Sequence, residues 1–336
     1  MRYWRANLLA IGGTVILASC SGTGPASAPS SAQTGAPAPS AMLSRDRLPK
    51  GHPYVLHPER DASPGHIYSS SFGANTVTYY NKGAGPNNPV AGSLTGSFEN
   101  PEGMAVDKAG NLYVTNSNAK NVLVYPPGAT SASLTLTDPN GFPDDIAFGS
   151  DGTAYVANLW APMGNPGSIS VYPPGATTPS TTLNDQAFVQ VVGVALDKHN
   201  NVFVSYDQTN GAHGTVVEFR AGSSTPTATN IVLGSAGGIG FDKAGRMLVI
   251  DQAAPTLNVY HPGSSTPATQ LPLPGASLYF SWAKSLKRIY VADYALGEID
   301  VFDYTPAKLT LINTITNGIV ASDNNLGIAT TTAMKQ

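Results

Sequence analysis

The sequence predicts an all-β fold, a six-bladed β-propeller of four-stranded blades, and three observations predict it. A strand–turn–strand pattern recurs six times at a spacing of 42 to 48 residues. The chain carries 35 glycines and 27 prolines against only 12% charged residues, a balance that suits many short strands joined by tight turns. The heptapeptide VYPPGAT occurs twice, at 124–130 and 171–177, at the same point of two successive repeats.

The repeats align as GMAVDKAGNLYVTN (103–116), DIAFGSDGTAYVAN (145–158), GVALDKHNNVFVSY (193–206) and GIGFDKAGRMLVID (238–251). Each reads as an apolar strand, a polar turn holding Asp, Gly or Asn, and a second apolar strand. A third strand follows, in VLVYPPGAT, ISVYPPGAT, VVEFRAGSS and LNVYHPGSS. Further copies lie at 288–304 and, more degraded, at 66–80; the second strand ends at 71, 116, 158, 206, 251 and 293. One such sheet cannot bury both its faces, so neighbouring copies must stack around an axis. Met104, Val106, Leu112 and Val114 are read as part of that inter-blade core. The first copy, from Ile67, has no strand ahead of it, whereas NNLGIAT (324–330) matches NPEGMAV (100–106) in form. The C-terminal strand is therefore expected to complete blade 1 and close the ring. In VYPPGAT, Val124 and Val171 end the third strand with Tyr125 and Tyr172 at its edge. The prolines and glycine then force a corner, because proline fixes φ and glycine permits φ > 0.

The motif GMAVDKAGNLYVTN resembles the NHL-type repeat and, more loosely, the wider group of six-bladed propellers. That resemblance covers nearly all of 66–330 and implies architecture; such propellers include enzymes, ligand binders and interaction scaffolds.

The N-terminus reads as an address. In MRYWRANLLAIGGTVILASC, Arg2 and Arg5 precede an apolar stretch and small residues, the order of a secretory leader. Leu17-Ala18-Ser19-Cys20 resembles the lipobox of bacterial lipoproteins, which implies cleavage after residue 19 and acylation of Cys20, the chain's single cysteine. Residues 20–60, rich in Ser, Ala, Pro and Gly, lack the apolar content for a core and are expected to form a tether. The propeller is expected over 61–332, as a monomeric domain held outside the cytoplasmic membrane by its lipid alone, on the outer membrane if the cell has two. Loss of Arg2 and Arg5 takes the formal charge from −3 to −5, and no basic patch points to nucleic acid.

Strand alternation sorts the connections onto two faces. Loops that lead into first strands and loops that follow second strands share one face, and propellers of this type commonly bind ligands there. Two rings are expected around that mouth: Glu102, Asp144, Val192, Gly237 and Leu326 lead in, while Ser71, Asn116, Asn158, Tyr206, Asp251 and Asp293 follow. Glu102, Asp144, Asn158 and Asp293 offer hard oxygen ligands of the kind that hold calcium or magnesium. Glu102 before Gly103 loosely resembles the metal-binding glutamate of gluconolactonase-type propellers, which implies a divalent-metal-dependent hydrolase as the alternative to binding. The same Asp and Asn residues suit a second role, capping the turn that follows them. His213 is the one histidine expected on this face, and streptogramin-lyase-type propellers use a histidine near a metal. Trp160 and Met163 stand in a glycine-containing loop (158–168) and are candidates for contact with a protein, glycan or small ligand. The leading function is binding, without chemistry of its own.

Overall fold

The computed structural model describes residues 65–83, 85–160, 165–209, 211–283 and 285–331. These form six antiparallel four-stranded sheets. Blade 1 contains β1 (His66–Ser71), β2 (Thr76–Asn81) and β3 (Val90–Ser93), and blade 2 contains β4 (Pro101–Val106), β5 (Leu112–Asn116), β6 (Asn121–Tyr125) and β7 (Leu134–Thr137). Blade 3 is β8 (Pro143–Phe148), β9 (Ala154–Asn158), β10 (Ser168–Tyr172) and β11 (Thr181–Leu183). Blade 4 is β12 (Gln190–Leu196), β13 (Val202–Thr209), β14 (Ala212–Phe219) and β15 (Pro226–Ala228). Blade 5 is β16 (Ala236–Phe241), β17 (Met247–Asp251), β18 (Thr256–Tyr260) and β19 (Thr269–Pro272). Blade 6 is β20 (Ser277–Trp282), β21 (Arg288–Asp293), β22 (Glu298–Thr305) and β23 (Lys308–Ile315). The last strand, β24 (Asn325–Thr330), pairs with β1 through Ile67↔Thr330, Tyr68↔Ala329 and Ser69↔Ile328, so the ring closes as the sequence predicts.

Apolar residues of adjoining blades interleave. Val122, Val124 and Leu136 of blade 2 pack with Ile146, Ala154 and Val156 of blade 3. Leu248, Ile250 and Val259 of blade 5 pack with Ile289, Val291 and Phe302 of blade 6. Burying such side chains contributes roughly 1.5–3 kcal/mol each, which explains why the repeats keep them.

The repeated corner does more than turn the chain. Ala129 and Ala176 donate to the carbonyls of Pro126 and Pro173, both at 3.0 Å, with Gly128 at φ 74° and Gly175 at φ 79°. Proline second and a positive-φ glycine third is the type II turn pattern. The tyrosine before each corner is no edge residue: Tyr125 and Tyr172 are both 1% exposed. Their hydroxyls donate to Thr95 O (3.2 Å) and Thr137 O (3.0 Å), at the outer strands of the preceding blades, and Tyr80 does the same to Asn317 O at 2.7 Å. Burial pushes the Tyr80 and Tyr125 phenols up to about 12, so they remain donors. Phe219 and Phe302 take the equivalent place in blades 4 and 6 and carry no such clasp.

Candidate functional site

Each innermost strand carries a β-bulge at the same point. In blade 2 the pairs Pro101↔Asn116 and Met104↔Val114 enclose Glu102 and Gly103 against Thr115 alone. Equivalent shifts occur in β8, β12, β16, β20 and against β24. A bulge adds a residue and re-aims side chains. Here the extra residue brings six positions together: Gly103, Asp145, Gly193, Gly238, Tyr279 and Gly327. The glycines are needed for close approach. A Cβ on Gly103 would stand 2.5 Å from Asp144 O, and one on Gly327 would collide with Glu102 O. Hydroxyls opposite three of the bulges reach the next blade: Ser70 to Glu102 O (2.7 Å), Thr115 to Asp144 O (3.1 Å) and Ser205 to Gly237 O (2.7 Å).

Tyr279 occupies the space the glycines leave. From blade 6 its hydroxyl reaches across to Asp144 Oδ2 (2.8 Å) and Asp144 O (3.2 Å) in blade 3, and to Val192 O (2.9 Å) in blade 4. Burial, then the negative field of Asp144, Asp145 and Glu102, holds its phenol well above the ordinary value. It is therefore a permanent neutral donor. The sequence reading missed this residue because SLYFSW (277–282) lacks the GMAVD pattern of its counterparts.

The loop face consequently has no open ring of acids. Glu102 is 0% and Asp144 1% exposed, and Leu326, Val192 and Gly237 are buried with them. The second ring serves its own loops. Asn116 accepts from Glu99 N (2.6 Å) and donates to Ser97 O (3.0 Å), and Asn158 donates to Ser170 Oγ (3.0 Å). Asp251 accepts from the amides of Gly234 (2.9 Å) and Ala253 (3.1 Å), and Asp293 from Leu296 N (2.9 Å). Tyr206 packs edge-on against Phe188, with ring centroids 4.8 Å apart. Among the described residues no group of three or more His, Cys, Asp and Glu is arranged to hold a metal ion. Asp144 is bonded to Tyr279 and Glu102 acts on the same phenol through its field, whereas Asn158 donates to Ser170 in β10 and Asp293 accepts from the turn that follows it; these four donors do not fit a shared calcium or magnesium ion.

The other candidates scatter. The segment 206–215 is mostly a hairpin that extends β13 and β14, and His213 lies exposed near its tip at φ 57°. Trp160 is half-buried, its carbonyl accepting from Phe142 N at 3.0 Å. Met163 and Cys20 lie outside the described residues.

The turn face is different. A cavity of about 540 Å³ opens there, beneath the connections between first and second strands. Tyr279, Gly238 and Asp145 lie at its deep end, where the bulges converge, and half-buried Val106, Phe148, Leu196, Phe280 and Trp282 line its wall. Lys108, Ser150, Lys198 and Asn200 stand at its rim. Three of these tie blades 2, 3 and 4 together: Lys108 Nζ donates to Ser150 O, Ser150 N to Asn200 Oδ1 (2.7 Å), and Asn200 Nδ2 to Ser150 Oγ (2.7 Å). Asp145 is 9% exposed, and its Oδ2 accepts from Val194 N at 3.1 Å. Burial pushes its carboxyl up to about 7.

No protein-family model matches the sequence, and no curated protein matches it. Solved structures do share the fold. A chain of a nidogen/laminin complex is similar over 81% of this chain and 100% of its own, with TM-score 0.63 and 15% identity. A protein of unknown function from Bacteroides caccae is similar over 80% of this chain and 99% of its own (TM-score 0.59, 14% identity). The hydrazine synthase of Kuenenia stuttgartiensis is similar over 72% and 74% (TM-score 0.52, 17% identity). At these identities the likeness is one of architecture, and it identifies the chain as a six-bladed β-propeller.

Proposed function

We propose that this chain is a binding module, anchored outside the cytoplasmic membrane by a lipid on Cys20, whose propeller takes a small molecule into the turn-face funnel. The observation that carries the reading is the funnel itself. It has the volume of a small-ligand site, walls that mix apolar and polar side chains, and one buried carboxyl at its base. Its depth suits a compact ligand better than a broad protein or glycan surface. The anchoring half rests on the lipobox-like LASC and the Ser/Ala/Pro/Gly-rich stretch behind it. Hydrolysis through Glu102 and Asp144 is the weaker reading, because chemistry needs substrate to reach those carboxyls and both are buried.

Two experiments test it. Titration of the mature chain with benzyl alcohol, followed by NMR, should move the methyl signals of Ala147 and Leu196, which line the funnel. Ala147→Trp, which fills the funnel, should abolish the Leu196 shift while the fold is retained. Shifts confined to other surfaces, or unaffected by Ala147→Trp, would remove the funnel as the site. For the anchor, Cys20→Ser should move the expressed protein from the membrane fraction to the soluble fraction.

A further inference from the structure

From the funnel's deep end we infer a ligand class: a protonated primary amine carried on an apolar body, its ammonium held by Asp145 and the aromatic wall. The inference rests on the funnel being the binding site and adds what that site selects.

Asp145 is the one ionisable residue among the six bulge positions apart from Tyr279, whose hydroxyl is already committed to Asp144 and Val192. Its carboxyl lines the cavity and is more than nine-tenths buried, with one oxygen on the Val194 amide. A carboxylate offers about four acceptor sites, so capacity remains for a ligand donor. Among the described residues no Lys, Arg or His pairs with it; Arg246 pairs with Asp242 and Arg288 with Asp303, at other places in the ring. A buried carboxylate without a cationic partner is costly, and a bound ammonium would supply that partner. The acidic groups around it have the same sign: Glu102 from β4 and Asp144 from β8 itself act with Asp145 on the Tyr279 phenol from β20, and Asp107 and Asp197 also line the cavity. The cations of the rim, Lys108 and Lys198, lie at the far end of the funnel, and Lys108 is committed to Ser150 O. The walls complete the match. Phe148, Phe280 and Trp282 present half-buried aromatic surface, and aromatic faces attract an ammonium while the aliphatic side chains cover its apolar body.

The test compares benzylammonium chloride with its neutral isostere benzyl alcohol, by calorimetry on the full mature chain at pH 8, where Asp145 is ionised. The ammonium should bind about tenfold or more tightly than the alcohol, the range expected of a charge-assisted hydrogen bond in a shielded site. Asp145→Asn keeps an acceptor for Val194 N and should erase that preference, bringing the two probes to comparable affinity. Equal affinity for the two probes in the wild type, or a preference that survives Asp145→Asn, overturns the inference and leaves the funnel standing as an apolar site. Failure of both probes to bind overturns the funnel reading with it. The wild-type comparison decides the question even if Asp145→Asn fails to fold.

Discussion

The two ends of the channel are built from the same six strands and end in opposite states. At the loop face Glu102, Asp144, Leu326 and Val192 are buried, and the Tyr279 hydroxyl reaches Asp144 and the Val192 carbonyl. At the turn face, only a few residues further along the same strands, Val106, Phe148 and Leu196 stand half-exposed around an open funnel. The difference is the bulge. It brings the backbones so close that four blades require glycine, and one tyrosine then fills what space remains. Beyond the bulge the strands carry full-sized side chains and diverge. Acids at a propeller mouth are thus no sign of an open site, and the face of the repeated corners is the accessible one.

The largest effect should come from breaking the ring that both ends share. Deleting residues 324–336 removes β24 and its pairing with β1, and should abolish the cooperative calorimetric transition; a truncated chain that melts like the intact one would disprove closure through β24. Next, the two ends should respond unequally to the loss of an aromatic ring. Tyr279→Ala leaves a cavity and unpaired acceptors at the sealed end, and should cost about 3–5 kcal/mol in denaturant unfolding. Phe280→Ala, on the half-exposed wall, should cost about half as much and instead weaken ligand binding. Equal losses at the two positions would break the contrast.

The pH dependence has a definite sign. Burial raises the carboxyls of Asp145, Asp207 and Asp293 to about 7 from an ordinary value of 3.8. Between those values the folded chain binds more protons than the unfolded one, so their contribution is fully present below about pH 4 and lost as pH rises through 7. Each pKa unit corresponds to about 1.4 kcal/mol. The melting temperature should therefore fall from pH 5 to pH 8, and Asp145→Asn should flatten that slope. A ligand ammonium should partly restore stability at pH 8. The smallest effects belong to the corners: Tyr172→Phe removes one inter-blade clasp and should cost about 1 kcal/mol. Gly175→Ala strains a positive-φ position and should cost a similar amount, measured in the same denaturant series.

Much of the fold was legible because each blade repeats the same local chemistry. GMAVDKAGNLYVTN shows its two strands by apolar content and its turn by Asp and Gly, and NNLGIAT shows its kinship to NPEGMAV without any partner in view. The candidate site was legible only in part. Asp144 is bonded to a tyrosine from across the ring that no local pattern connects to it, and the field of Glu102 acts on the same phenol. Asn116 holds the loop that leads into its blade's first strand rather than the turn after it, and Asp251 holds both the loop ahead of β16 and the turn after β17. Asp145, beside Asp144 in the chain, reached the funnel because the bulge offsets neighbouring residues.

The sequence by itself determined the number of blades, their strand order, the corner turns and the strand that closes the ring. Each of these follows from local propensity or from pairing between matching segments. Which mouth is open, what fills the other, and which carboxyl lacks a cation were decided only by the tertiary structure. Those properties belong to six strands converging on one axis, where the space left for a side chain depends on what the other five blades place there.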